Sequence, residues 1–236
     1  MKTEPKKKTI IVTGASGNLG QATVRKFAAD GYRVIAIVSA GKQLNYPVEG
    51  DVTTHALDVT NEANVALFTR EVLSPYPAID AAILLVGGFT AGRISDTDGA
   101  MLKKMFALNF ESAFYLSTNI FQKMIGQPGG GRIVLVGSRT ALEPARAKTS
   151  FAYSLSKSVL FNLAGYQNAE GNAKNVVTSV VVPGTIDTPD NRKFDPNANF
   201  ADWVKPEEIA EAISFLCDER SKSLKDPILK MYGKGS

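Results

Sequence analysis

The chain has 236 residues, 44% hydrophobic and 21% charged, with 27 basic and 23 acidic side chains giving a net charge of +4. That is ordinary for a globular protein and leaves room for one α/β domain or two small ones, while the charge is too small to argue nucleic-acid binding. The single cysteine, Cys217, excludes an internal disulfide, and the single histidine, His55, excludes any site that needs paired histidine ligands.

In chain order, Lys6, Lys7 and Lys8 read as a solvated basic arm within residues 1–8. Residues 9–13 are a buried strand. A glycine-rich turn, Thr13-Gly14-Ala15-Ser16-Gly17-Asn18-Leu19-Gly20, opens a helix over 18–30 that stops at Gly31. Strands follow at 33–38 and 52–57, and Asn61 is placed to cap the next helix. The apolar run 79–86 is a strand that breaks at Gly87-Gly88. A long helical stretch over 98–125 divides near Asn109 into two helices. Residues 128–131 turn into a strand at 133–136, and 150–168 form a helix. A strand at 176–182 is stopped by Pro183-Gly184. A polar loop, 185–204, leads to a helix that Pro206 opens and that ends near Asp218. A weak last strand covers 227–232. Cys217, among Ile213, Phe215 and Leu216, reads as a buried apolar filler, and His55 as a surface or strand-end residue.

Alternating β-branched runs and helical patterns predict a parallel sheet covered on both faces, in one doubly wound domain over 1–236. No run has the length of a membrane span and no signal peptide opens the chain, so the expected compartment is the cytoplasm. The loop at 185–204 is long for such a domain and reads as a lid or a disordered segment.

The glycine turn follows a strand and opens a helix, which is the context of a phosphate-cradling turn. Gly14 permits the tight turn, Gly17 lets backbone approach a pyrophosphate, and Gly20 brings helix to sheet, leaving N–H groups at the helix start for the phosphates. A dinucleotide site often carries an acidic residue about 20 positions later that binds the ribose 2′-hydroxyl. Here the second strand ends Ile37-Val38-Ser39-Ala40-Gly41-Lys42, with no carboxylate before Glu49. Ser39 can donate to a 2′-phosphate and Lys42 can offer charge, so NADP(H) is expected over NAD(H). The alternative is that Lys42 is simply a loop lysine.

Tyr153 and Lys157 lie one helical turn apart. Free tyrosine has a pKa near ~10, too high to exchange protons well at neutral pH. A lysine on the same helix face would favour the phenolate. Ser138, at the end of the fifth strand, could bond a substrate oxygen beside the tyrosine, and Asn109 could hold a proton-relay water. Their plain alternatives are a strand-end turn residue and a helix cap.

The ordered set resembles the short-chain dehydrogenase/reductase family over nearly the whole chain. It comprises the glycine turn, Asp58-Val59, Gly87-Gly88, Asn109, Ser138, Tyr153, Lys157, and Pro183-Gly184-Thr185-Ile186-Asp187-Thr188. The resemblance implies a seven-stranded Rossmann-type sheet and hydride transfer to a C=O or C=N carbon. It makes Tyr153 the general acid/base, and Lys157 the residue that lowers its pKa and binds the nicotinamide ribose. Ser138 would orient the substrate and Asn109 support the relay. Asp58 and Val59 would lie at the adenine, and Ile186 and Thr188 at the carboxamide, with no metal. Subunits would pair as a homodimer or homotetramer through the long helices at 106–125 and 150–168.

The chain departs from the family pattern in its G-x-x-G-x-x-G spacing and in Val86-Gly87-Gly88 where Asn-Ala-Gly is usual. Ser138 and Tyr153 are also slightly further apart than usual. Residues 187–198 with Asn191, then Trp203, and the turn Gly87-Gly88-Phe89 resemble the dihydropteridine reductase branch, where the aromatic ring would face a pterin. Against equating the two, that branch lacks the serine supplied here by Ser138 and carries an acidic NADH-selecting residue where this chain has Val38-Ser39. The expected function is therefore reduction of a small carbonyl or pterin, the lid serving either substrate. The alternative is a non-catalytic dinucleotide-binding sensor or scaffold.

Overall fold

Seven short strands pair side by side, all parallel, in a computed structural model that describes residues 7–234. They are β1 (Thr9–Thr13), β2 (Arg33–Val38), β3 (Asp51–Ala56), β4 (Ala81–Leu84), β5 (Gly131–Val136), β6 (Val176–Pro183) and β7 (Ile228–Met231), in the spatial order β3-β2-β1-β4-β5-β6-β7. Central strands β1, β4 and β6 are buried along their whole length, whereas β3 and β7 have no fully buried residue because they form the edges.

Successive strand side chains point to opposite faces, so β1 feeds two cores. Ile11 joins Leu116, Ile120, Leu160 and Val180 on one face. Ile10 and Val12 join Val24, Phe27, Ile209 and Ile213 on the other. The first face is covered by α2 (Glu62–Glu71), α4 (Ser112–Gly126) and α6 (Phe151–Gly171), and the second by α1 (Asn18–Ala29) and α8 (Pro206–Leu216). Each fully buried large aliphatic or aromatic side chain contributes roughly 1.5–3 kcal/mol. Asn61 caps α2 as its position suggests, its Oδ1 accepting from the Asn64 N–H at 3.1 Å.

Three elements differ from the sequence expectation. The junction near Asn109 is not a break: α3 (Gly99–Phe106) runs into α4 through one π-helical turn, Ala107–Glu111. A short helix, α5 (Arg139–Leu142), follows Ser138 directly. The loop at 185–204 contains α7 (Pro189–Phe194), opened by a proline at its start and capped by Thr188, whose hydroxyl accepts from the Asn191 N–H at 3.2 Å.

Lys6 lies outside the described residues. Lys7 and Lys8 are engaged by Asp51 and Glu219 at 3.5 and 3.6 Å rather than forming part of a free arm. His55 sits on edge strand β3 against Phe68. Cys217 is buried, which pushes its thiol up to about 12. No helix among the described residues is long and apolar enough to cross a membrane.

Candidate active site

Every strand is parallel, so whatever follows a strand in the chain lies at the same edge of the sheet. Gly14 follows β1, Ser39 β2, Asp58 β3, Gly87 β4, Ser138 β5, Gly184 β6 and Tyr232 β7. The strand order reverses between β1 and β4, and ligands of open α/β sheets bind at such a switch point.

On one side of the switch, a cavity of about 330 Å³ is lined by Gly14, Val38, Ser39, Asp58, Val59 and Leu108, with Ile37, Ala40, Leu57, Thr60 and Val86 completing the wall. Gly14 adopts φ +65°, and a Cβ on Gly20 would overlap the Gly14 carbonyl, so both glycines are required by the turn. Gly17 is the N-cap of α1 and offers no side chain, so no side-chain cap occupies the first-turn N–H groups of Asn18, Leu19 and Gly20. A shaped apolar slot beside uncapped amides is the donor set a dinucleotide needs. Ser39 lines this slot. Lys42 does not: it is exposed, its N–H donating to the Ser39 carbonyl at 3.0 Å across a tight turn.

On the other side, a cavity of about 500 Å³ is lined by Ser138, Pro183, Gly184, Trp203, Arg139 and Tyr232, among others. Arg139 lies 4.3 Å over the Tyr232 ring, and its Nε donates to both oxygens of Glu143 at 3.1 Å. Trp203 packs on Phe200, with ring centroids 4.9 Å apart.

Lys157, Asn109 and Gly87-Gly88 meet beyond the end of β4, and Tyr153 lies one turn before Lys157 on α6. Asn109 is buried at the centre of the π turn. Its Oδ1 accepts from the Gly88 N–H at 2.9 Å, and its Nδ2 donates to the Gly88 carbonyl at 2.9 Å and to Ser156 Oγ at 3.1 Å. The side chain is thus a clamp on the turn after β4. Lys157 is buried and donates to the Val136 carbonyl at 2.8 Å, and burial lowers its ammonium to about 8. Burial raises the Tyr153 phenol above its ordinary value, and Ser138 opposes that rise.

Phe89 stands edge-on to Tyr153, centroids 5.1 Å apart, and Phe194 of α7 stands edge-on to Phe89 at 6.1 Å. Other polar residues of the 185–204 segment bond within the segment itself. Asn191 Nδ2 donates to the Ile186 carbonyl at 2.8 Å, Ile186 pairs with Val204, and Asp187 holds Arg192 through two bonds of 2.6 and 2.7 Å. Asn191, read from sequence as a substrate contact, is turned to backbone, and Thr188 is the α7 cap. Sequence reasoning missed Thr140, Arg139, Tyr232 and Phe194. The pair Ser138-x-Thr140, two hydroxyls at a strand end, was the available signal for the first of these.

Residues 8–199 match the short chain dehydrogenase family. The chain belongs to that family. It is 29% identical to the dihydropteridine reductase of Dictyostelium discoideum over 211 residues, 87% of this chain and 86% of that protein. It is also 29% identical to the 2,3-dihydro-2,3-dihydroxybenzoate dehydrogenase of Escherichia coli over 233 residues, 90% of each chain. The solved structure of ElxO with NADP bound superposes with a TM-score of 0.87 at 20% identity, covering 96% of this chain and 98% of that one. The short-chain dehydrogenase/reductase is thus an NAD(P)-dependent oxidoreductase built on a seven-stranded, all-parallel Rossmann-like sheet.

Proposed function

We propose that this short-chain dehydrogenase/reductase reduces a flat C=N or C=O acceptor of the pterin class, with NADPH preferred over NADH. When bound, the nicotinamide cofactor supplies the hydride. The observation that carries the reading is the aromatic wall at Tyr153. Phe89 and Phe194 are 55% and 76% exposed, yet they stack edge to face in one line from the tyrosine to the lid. Large aromatics left in water at the mouth of a cleft mark a surface for another apolar, flat body. The 29% identity to a dihydropteridine reductase, across most of both chains, supports the same substrate class.

In this reading Tyr153 keeps its proton until negative charge develops on the acceptor heteroatom, then releases it there. Ser138 donates to the phenolate left behind. Lys157 and Asn109 fix α6 and the Gly87-Gly88 turn around the reacting atoms. The larger cavity, with Trp203 in its wall, takes the body of the acceptor, and the lid covers it. Gly14, Gly17, Asn18, Leu19 and Gly20 hold the pyrophosphate, and Asp58 and Val59 the adenine. The hydroxyl of Ser39 and the absence of a carboxylate at the end of β2 favour a 2′-phosphate. Copies of the chain pair through α4 and α6, whose surfaces carry exposed Phe114, Leu155 and Tyr166.

The test is oxidation of NADPH and NADH with quinonoid dihydropterin as acceptor, beside Tyr153→Phe to correct for the nonenzymatic reaction. Turnover that falls by about a hundredfold or more in the variant, with cofactor affinity retained, is the expected result. Bound cofactor without Tyr153-dependent pterin turnover would remove the pterin reading and move the search to ketones and aldehydes. Near-parental turnover in the variant would remove Tyr153 from its role.

A further inference from the structure

We propose that Ser150, Ser154 and Thr140 form, with Ser138, a one-way chain of hydroxyl hydrogen bonds that ends on the Tyr153 oxygen and stabilises its phenolate. Thr140 and Ser154 are then positioning residues for the reaction, a role that rests on Tyr153 acting as the proton donor. The four hydroxyls come from two elements that only the fold brings together. Ser138 and Thr140 lie at the end of β5 and in α5, and Ser150 is the N-cap of α6 with Ser154 in its first turn. The three serines are buried. Ser150 Oγ lies 3.2 Å from Ser154 Oγ, Ser154 donates to Thr140 Oγ1 at 2.8 Å, and Thr140 Oγ1 lies 2.9 Å from Ser138 Oγ. Ser138, at the near end of this line, is the group that holds the Tyr153 phenol down against the effect of burial.

Each hydroxyl owns one proton, and that fixes the direction of the chain. Ser154 spends its proton on Thr140, so its contact with Ser150 requires Ser150 to donate. When Ser138 gives its proton to the phenolate, its contact with Thr140 requires Thr140 to donate. All four O–H bonds then point toward Tyr153, and hydrogen bonds in such a line polarise one another. The far end is anchored, because Ser150 pairs with Gly92 and the Phe151 N–H donates to the Gly92 carbonyl at 3.0 Å. The same anchor ties the loop that carries Phe89 to the start of α6.

The charged groups on the surrounding elements are already held by partners. Lys157 on α6 is bound to Val136, Arg139 on α5 to Glu143, and Arg192 on the lid to Asp187. Neutral hydroxyls are what remains to offset the burial of the phenolate.

The experiment titrates Tyr153 in two ways. One follows the ring-carbon NMR signal of labelled tyrosine in the cofactor-free protein, assigned with Tyr153→Phe. The other follows the pH profile of kcat/KM in the oxidative direction. Thr140→Val keeps the side-chain shape and removes the donor. The expected result is an upward shift of about half a pKa unit in both readouts, the size of one modest hydrogen bond. Thr140→Ser should restore the parental value, and Ser154→Ala should shift the same way by less. A slower enzyme with an unshifted titration in Thr140→Val and Ser154→Ala would overturn the proposal, as would a shift confined to Ser138→Ala. If Thr140→Val does not fold, Ser154→Ala decides alone. The NMR arm needs no turnover, so it stands even if Tyr153 is not the donor in catalysis.

Discussion

Lys157 reaches across from α6 to the last carbonyl of β5, donating to Val136 O at 2.8 Å. The contact fixes the helix bearing Tyr153 against the strand end that presents Ser138. Holding an ammonium in this buried place is costly, and the cost shows as a pKa of about 8 against an ordinary 10.5.

A folded-state pKa below the unfolded one means the unfolded chain binds more protons between those two values, so stability from this group rises with pH there. Below pH 8 the burial cost is fully present, and above 10.5 it is gone. Lys157→Met carries no such cost at any pH. The stability of the variant relative to the parent should therefore be greatest below pH 8 and fall by up to about 3 kcal/mol as pH rises to 10.5. Denaturant melts at several pH values check this. A pH-independent difference would mean the ammonium is solvated.

The fold was legible because its signals are local. Periodic apolar runs and the glycine turn place β1, α1 and β2 with the observed bounds to within a residue or two. The placement of candidate residues was legible where spacing alone sets a shared helix face, as with Tyr153 and Lys157 one turn apart on α6. It was not legible where partners come from distant segments. Nothing in the chain order says that Lys157 faces Val136, that Asn109 clamps Gly88, or that Thr140 meets Ser154. The π turn at Asn109 also leaves little trace, since one extra residue in a helix barely changes the apolar period.

The clamp makes Gly87 sensitive. A Cβ there would stand 2.7 Å from Asn109 Oδ1 and 3.1 Å from Lys157 Nζ. This position is alanine in the usual family motif, so Gly87→Ala is a mild change by that standard. Here it must break the Asn109–Gly88 pair or push Lys157 off Val136. The expected outcome is a loss of about 1–2 kcal/mol in stability. Turnover should fall by about tenfold or more, because the reacting groups lose their register. Denaturant melts and steady-state kinetics read the two effects separately. Unchanged turnover would show that neither side chain needs its present position.

The aromatic line gives a prediction about substrate rather than cofactor. Phe89 contacts both Tyr153 and Phe194, so removing it opens the wall and detaches the lid helix together. Phe89→Ala should raise KM for a flat heteroaromatic acceptor by about tenfold, the scale of one aromatic pair. KM for a small aliphatic ketone and the Kd for NADPH should stay within about twofold. Phe194→Ala should show a weaker version of the same pattern. Equal losses for both acceptors would assign the wall to folding of the cleft instead of to substrate shape.

Cofactor choice should turn on Ser39 more than on Lys42. Ser39 lines the smaller cavity together with Gly14 and Asp58, while Lys42 is exposed beyond the turn and outside that lining. A carboxylate at Ser39 would accept from a ribose 2′-hydroxyl and repel a 2′-phosphate. Ser39→Asp should therefore swing the NADPH/NADH ratio of kcat/KM toward NADH by about a hundredfold, most of it as a raised KM for NADPH. Lys42→Ala should cost only a few-fold with NADPH, and that cost should vanish in high salt, as for any solvent-exposed charge. If Lys42→Ala shows the larger effect and keeps it in salt, the lysine folds over the bound phosphate and takes the part assigned here to the serine.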